Sequence, residues 1–336
     1  RIGNKIARLI GAEDGEVIAA DSTSINIFKM IAAALQSNPG RKVVLTEKDN
    51  FPTDLYMMQG LENFAPDKIS SKIVPSSELL DSLDESVAAL LLSEVNYKTG
   101  SITKMKEITQ KAHQKGIMVI WDLSHSAGSI PINLNDCLVD FAVGCGYKFL
   151  NGGPGAPAFL FAAKRHHHNI EPILSGWFGH IDPFAFSEKY APAKDVTRLM
   201  CGTPPLLGLI ALECGVDILL RADINLLREK AKKLGSIFID LIEEKCKNVD
   251  FLLASPRDDA KRGGHVSLSH PHGFALSRAL VERGVVCDFR MPDIVRFGIT
   301  PLYMRYQDLY EAVDIIADVA KSTNWEEQDA TVALYT

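Results

Sequence analysis

Much of the chemistry this chain can do turns on Lys148, set in Gly144-Cys145-Gly146-Tyr147-Lys148-Phe149-Leu150-Asn151-Gly152-Gly153-Pro154-Gly155. An apolar run at 141–143 leads into this stretch and a second, at 158–161, follows it. Burying a lysine and ordering glycines are both costly, so placing them together between two buried strands calls for a reason. An amine that condenses with a carbonyl cofactor, pyridoxal phosphate, supplies one. Asp122 points the same way. It follows Ile117-Met118-Val119-Ile120-Trp121 and reads as the last residue of a buried strand. An acid there can pair with the protonated ring nitrogen of that cofactor.

Other segments gain meaning beside these two residues. Asp21-Ser22-Thr23-Ser24 stands between a strand and a helix. Hydroxyls and unsatisfied N–H groups at a helix start favour a phosphate; taken alone, the same residues make a plain N-cap. Asn50-Phe51-Pro52-Thr53-Asp54 follows another strand. An aromatic on a loop at the carboxyl end of a parallel strand can lie flat on a bound ring. A core Phe with a turn-forming Pro and an Asp cap is the plainer reading. Asp122 can itself cap residues 123–127, and His125 shares its face if that turn is helical. The Tyr147 hydroxyl can hold a phosphate and move protons, or make one structural hydrogen bond. Asn151-Gly152-Gly153-Pro154-Gly155 implies backbone that passes close to a neighbour or adopts positive φ. Arg296 ends a strand and can clamp a substrate carboxylate in a bidentate fork, or join a structural ion pair. Trp177-Phe178-Gly179-His180 and Thr203-Pro204 are loop positions able to line a site. His166-His167-His168 reads as a surface run rather than a metal site, because adjacent side chains diverge.

The elements that must position these groups alternate over the first 200 or so residues. Strands are predicted at 17–20, 42–46, 87–95, 118–123, 140–145 and 158–162, with helices over 25–35 and 102–115, the second stopped by Gly116. Fully apolar strands separated by helices imply a mostly parallel central sheet covered on both faces. From Pro204 the pattern changes. Helices over 206–220 and 224–244 precede short strands at 251–253, 265–268 and 294–297, flanked by helices at 274–283 and 308–320. The reading is an α/β protein with a large cofactor-binding domain at 1–205, connecting helices at 206–245 and a smaller C-terminal α+β domain at 246–336.

Composition sets outer bounds. The chain has 336 residues, 46% hydrophobic and 23% charged, an ordinary globular balance. A net charge of −6 disfavours nucleic acid and anionic membrane as main partners. No uninterrupted apolar stretch reaches the ~18 residues a membrane helix needs. The six cysteines form no CxxC pair, and buried free thiols in a reducing cytoplasm are expected rather than disulfides or zinc. Residues 1–11 lack a signal peptide's features and a methionine. Ile2, Ile6, Leu9 and Ile10 read as one helix face, so the chain is expected to begin inside a fold, with an N-terminal segment missing.

Together the segments around Thr23, Phe51, Asp122, Lys148, Trp177 and Arg296 resemble the kynureninases, a fold-type-I pyridoxal phosphate family. The resemblance runs from near the start to the C-terminal third, and the stretch around Lys148 is its most specific part. It implies that Lys148 carries the cofactor, Asp122 holds the pyridinium nitrogen, and Phe51 stacks on the ring with Asp54 beside it. Thr23, Ser24 and Tyr147 would hold the phosphate, with Trp177 and Thr203 reaching in from the second subunit of a homodimer. Ser93 and His125 would line the pocket, and Arg296 would bind the substrate carboxylate. The implied reaction is hydrolysis of L-kynurenine or 3-hydroxykynurenine to an anthranilate and L-alanine, with Lys148 as base at the α-carbon and Tyr147 as proton donor. Other fold-type-I activities, a cysteine desulfurase or an aminotransferase, would share Asp122 and Lys148. A non-catalytic scaffold of the same fold would have little use for Lys148, Asp122, Tyr147 and Arg296 together.

Overall fold

The computed structural model describes residues 1–322; the last part of the small domain read at 246–336 lies outside them. The chain divides into two units. One comprises Arg1–Asn96 and Thr103–Ile224; the other comprises Tyr97–Ile102 and the described residues from Asn225 onward. The division therefore falls between the two long helices read as connectors, and a short excursion at 97–102 belongs to the second unit.

The first unit contains α1 (Ile2–Leu9), β1 (Val17–Ala19), α2 (Thr23–Ser37), β2 (Val43–Glu47), α3 (Pro52–Phe64), β3 (Ser70–Val74), β4 (Val87–Ser93), α4 (Met105–Gln114), β5 (Met118–Asp122), β6 (Phe141–Gly144), β7 (Phe159–Ala162) and α5 (Leu206–Leu220). Its sheet has the order β1-β7-β6-β5-β4-β2-β3. β7 pairs antiparallel with both β6 and β1, while the other pairings are parallel. Every strand except β7 thus points the same way, and all their carboxyl ends share one edge.

Burial on both faces explains the unbroken apolar strands. All seven residues of β4 are buried. Ile120 joins Ile27, Met30 and Ile31 of α2 in one core. Its neighbour Trp121 sends its indole N–H to Thr109 Oγ1 of α4, 3.1 Å away. Each large side chain so buried contributes roughly 1.5–3 kcal/mol.

Sequence periodicity left three elements unread. α3 opens with Pro52 at its first turn, which resembles a loop signal. β3 carries intermediate or exposed positions at 70–73. β10 (Asp288–Arg290) is short and polar. The helix read over 102–115 begins only at Met105, because Ile102 N–H is committed to Lys261 O at 2.9 Å.

The second unit contains α6 (Ile224–Lys245), β8 (Leu252–Leu253), β9 (His265–Ser269), α7 (Gly273–Glu282), β10, β11 (Ile294–Gly298) and α8 (Tyr306–Lys321). Its four-stranded sheet, ordered β10-β11-β9-β8, is antiparallel throughout. Leu234 and Phe238 of α6, Leu276 of α7 and Val313 of α8 pack with Val266, Val295 and Phe297 of that sheet. Among the described residues no helix is long and apolar enough to cross a membrane.

Asp140, at the amino end of β6, ties several elements together. One carboxylate oxygen accepts from Val119 N–H at 2.8 Å and faces His113 Nε2 at 2.8 Å. The other accepts from Arg165 Nη2 at 2.8 Å and faces His166 Nε2 at 2.7 Å. Burial pushes this carboxyl up, but the hydrogen bonds from His113 and His166 outweigh it and hold it below the usual range. Asp140→Asn is expected to lower the unfolding free energy at pH 7 by about 2 kcal/mol. A carboxyl depressed in the folded state contributes in full above its unfolded value near pH 4, and that contribution is lost as pH falls further. Urea denaturation should therefore show the gap between the two proteins narrowing below about pH 4; a gap unchanged down to pH 3 would contradict this account.

Candidate active site

The carboxyl edge of the first sheet gathers most of the singled-out residues. Ser93 and Asp122 are register partners at the ends of β4 and β5, and Asp122 sits opposite Val143 of β6. Asp122 is buried, and its Oδ1 accepts from Ser124 N–H at 2.8 Å and Ser124 Oγ at 2.5 Å. It is thus both a strand end and the anchor of the following turn. That turn is helical, since Ser126 and Ala127 both donate to Leu123 O, and half-buried His125 lies within it.

Lys148 follows β6. Its amine stands 5.7 Å from the centroid of the Phe51 ring and 5.8 Å from that of Tyr147. Its positive charge acts on two buried acids, Asp122 and Asp54. Asp54 is only 1% exposed, and neither carboxyl oxygen has a hydrogen-bond partner among the described residues. Burial, reinforced by repulsion from Asp122, pushes Asp54 well above the ordinary carboxyl range, with Lys148 opposing. Burial likewise raises Asp122, against the pull of Lys148 and Ser124. Asp54 lies in the first turn of α3, with Phe51 as the N-cap residue, rather than in an open loop.

A buried network holds this segment. Asn50 Oδ1 accepts from Phe51 N–H at 2.9 Å and from Ser93 Oγ at 2.6 Å. Asn50 Nδ2 donates to Thr46 Oγ1 at 3.1 Å, whose hydroxyl donates to Leu91 O at 2.7 Å. Asn50 and Thr46 were not singled out from the sequence, where an Asn before Phe-Pro looks like a turn residue.

At the start of α2, Ser22 caps the helix by accepting from Ile25 N–H at 3.3 Å. Asp21 reaches φ 52, and its Oδ2 accepts from the buried Lys29 amine at 2.5 Å. Thr23 Oγ1 lies 3.1 Å from Cys145 Sγ, and Ser24 is half-buried on the first turn. Asp21, Ser22, Tyr147, Gly155, Cys201 and Thr203 help line a cavity of about 450 Å³. The glycine segment has both properties expected of it. A Cβ on Gly152 would come 2.8 Å from Gly146 O, and Gly153 has φ 73. Trp177 packs edge-on against Phe178 and Phe184, with ring centroids 4.5 and 5.7 Å away.

Three sequence readings take a particular form in the structure. His166 and His167 serve Asp140 and Ala162 O. Of the six free thiols, Cys145 and Cys246 are buried, whereas Cys214 is exposed, contrary to uniform burial. Arg296, in the second unit, is buried and forked onto Asp288: Nε donates to Oδ1 at 2.6 Å and Nη2 to Oδ2 at 2.5 Å, while Nη1 donates to Tyr97 O. Asp288 is its cross-strand register partner, a pairing that only strand alignment reveals.

This architecture is the fold-type-I fold. The cysteine desulfurase of Thermococcus onnurineus NA1 matches it with a TM-score of 0.82 at 19% identity, over 95% of this chain and 83% of that one. A C-DES variant with glycine covalently linked to its PLP cofactor matches with a TM-score of 0.78 at 16% identity, over 94% and 84% of the two chains. These likenesses are of fold. In sequence, residues 227–316 match the Kynureninase C-terminal domain. The kynureninase of Pseudomonas fluorescens is 43% identical over 330 residues, which span 97% of this chain and 79% of that protein. The chain belongs to the kynureninase family.

The residues present fit pyridoxal phosphate. A lysine amine stands near an aromatic ring and two buried acids, Asp54 keeps both oxygens without a hydrogen-bond partner among the described residues, and the α2 start offers hydroxyls and N–H groups to an anion. In the cofactor-free protein the buried acid pair is a liability. A carboxyl raised in the folded state stabilises fully below its unfolded value and progressively less as pH rises toward the folded one. Asp54→Asn is therefore expected to raise the melting temperature of cofactor-free protein at pH 8 by roughly 2–4 °C, with the gain vanishing near pH 4. Calorimetry at the two pH values checks this, and a lowered melting temperature at pH 8 would refute it.

Proposed function

We propose that this chain is a pyridoxal phosphate-dependent hydrolase that cleaves the Cβ–Cγ bond of L-kynurenine, or its 3-hydroxy form, giving an anthranilate and L-alanine. The observation that carries the reading is the Lys148 amine set beside Phe51 and the buried pair Asp54 and Asp122, in a chain 43% identical to a kynureninase over nearly its whole length. Pyridoxal phosphate, when bound, would supply the electron sink that lets the α- and β-carbons of the amino acid carry negative charge, and Lys148 is the amine that would hold it.

The chain's own residues do the rest. Asp122, oriented by Ser124, would take the ring N–H, and Phe51 with Asp54 would hold the ring. Thr23, Ser24, Tyr147 and the α2 N–H groups take the phosphate. Ser93 and His125 border the ring. Lys148 would remove the α-proton, a role that requires the neutral amine. Water adds to the γ-carbonyl, its oxygen leaves with the anthranilate, and Tyr147 delivers the proton that completes the alanine methyl group. Arg296 takes the α-carboxylate through its remaining N–H groups, while Asp288 fixes the plane of the fork.

The proposed assembly is a homodimer in which Trp177 and Thr203 serve the neighbouring subunit. Leu206, Leu207 and Ile210 of α5 are exposed, Leu207 by 83%, more apolar surface than a lone helix face normally shows water. The six free thiols suit the proposed cytoplasmic location.

Incubation with L-kynurenine and 3-hydroxykynurenine should release the anthranilate and alanine in equal amounts, with no sulfide from cysteine. Lys148→Ala should lose activity by about 10³-fold or more and lose the borohydride-fixed label. Sulfide release without an anthranilate, or a label on another residue, would sink the reading. Leu207→Glu should convert the dimer to monomer in sedimentation and weaken activity in parallel; an unchanged sedimentation coefficient would count against this interface.

A further inference from the structure

Cys145 sits between two ends of the site. Its Sγ is 3.1 Å from Thr23 Oγ1 on one side and 3.2 Å from Ser124 Oγ on the other. Ser124 Oγ in turn donates to Asp122 Oδ1 at 2.5 Å. The thiol is buried.

Counting protons fixes the direction of this chain. Ser124 has one hydroxyl proton, and it goes to Asp122, an acceptor when ionised. The Ser124 oxygen therefore receives the thiol proton of Cys145. The sulfur is then left as an acceptor, so the Thr23 hydroxyl donates to it. In this order Thr23 has no proton for anything else. A phosphate at the start of α2 is acceptor-rich and needs that proton. Thr23 must then turn its O–H to the phosphate, and the thiol can follow by turning its S–H to the Thr23 oxygen. A thiol is a weak donor and a weak acceptor, so reversal costs little; a hydroxyl is also shorter in reach and could not span both gaps equally well.

We propose that Cys145 is a positioning residue, a reversible hydrogen-bond switch that links phosphate capture at Thr23 to the Ser124–Asp122 pair. The proposal rests on the cofactor reading above. It involves no covalent change at sulfur.

The test compares pyridoxal phosphate with pyridoxal, which lacks the phosphate, in wild type, Cys145→Ala, Cys145→Ser and Thr23→Val. Dissociation constants come from equilibrium dialysis, and the S–H stretching band from infrared difference spectra, assigned by its loss in Cys145→Ser. In wild type the Cys145 band should shift on loading with pyridoxal phosphate and not with pyridoxal. Cys145→Ala should reduce the preference for the phosphorylated form roughly three- to tenfold, the size of one hydrogen bond. Cys145→Ser should restore part of it, and Thr23→Val should add little to Cys145→Ala. An unmoved S–H band, or an undiminished preference in Cys145→Ala, would overturn the switch. Borohydride labelling of Lys148 is run alongside: label present with the switch results negative defeats this inference alone, whereas no label at Lys148 in wild type defeats the cofactor reading. If Cys145→Ala fails to fold, the wild-type infrared comparison still decides.

Discussion

Two carboxylates buried side by side forgo hydration and repel each other, which costs several kcal/mol per ion when nothing compensates. Asp54 and Asp122 are in that position, and the Lys148 amine is the cation acting on both. The three groups constrain one another. The amine favours ionised acids, and Asp122 opposes the ionisation of Asp54. The covalent link proposed at Lys148 would change that balance, and a protonated ring nitrogen at Asp122 would supply positive charge to the same pocket. The cofactor-free and loaded proteins are thus two answers to one electrostatic problem.

The two acids are held differently. Asp122 is fixed by two hydrogen bonds from Ser124, so its geometry is set before anything binds. Asp54 has none among the described residues; it is placed by the backbone, in the first turn of α3. There the helix dipole favours its negative form, while burial and Asp122 oppose it. Asp122 suits a fixed strut, and Asp54 a group whose protonation answers to its surroundings. The Asn50–Ser93–Thr46 network steadies the start of α3.

How much of this could be read from the sequence depends on whether the signal was local. The apolar run before Asp122 and the glycines around Lys148 are local patterns that few other arrangements of the chain would produce, and the strands they imply are present. The placement of Asp54 was harder. Pro52 is as good a first helical residue as a turn residue, and only the packing of α3 decides. The reversed direction of β7 was invisible, because a short buried strand reads alike either way. Asn50 with Ser93, Cys145 with Thr23, and Arg296 with Asp288 are contacts between separate segments. Each depends on sheet register or on where two loops meet, which no single stretch records.

The second unit applies the same electrostatic logic to the opposite charge. A buried guanidinium without a counter-ion would be as costly as a buried acid, and Asp288 supplies the counter-ion through a bidentate pair. Arg296 has five N–H donors, of which Asp288 and Tyr97 O engage one each on Nε, Nη1 and Nη2. One N–H on each terminal nitrogen remains. In the role proposed for Arg296, a substrate carboxylate meets a guanidinium that is already oriented and charge-balanced. Most of the desolvation is then borne in folding rather than in binding, and Asp288 limits how tightly a second carboxylate is held. A product that must leave with its carboxylate intact benefits from that restraint.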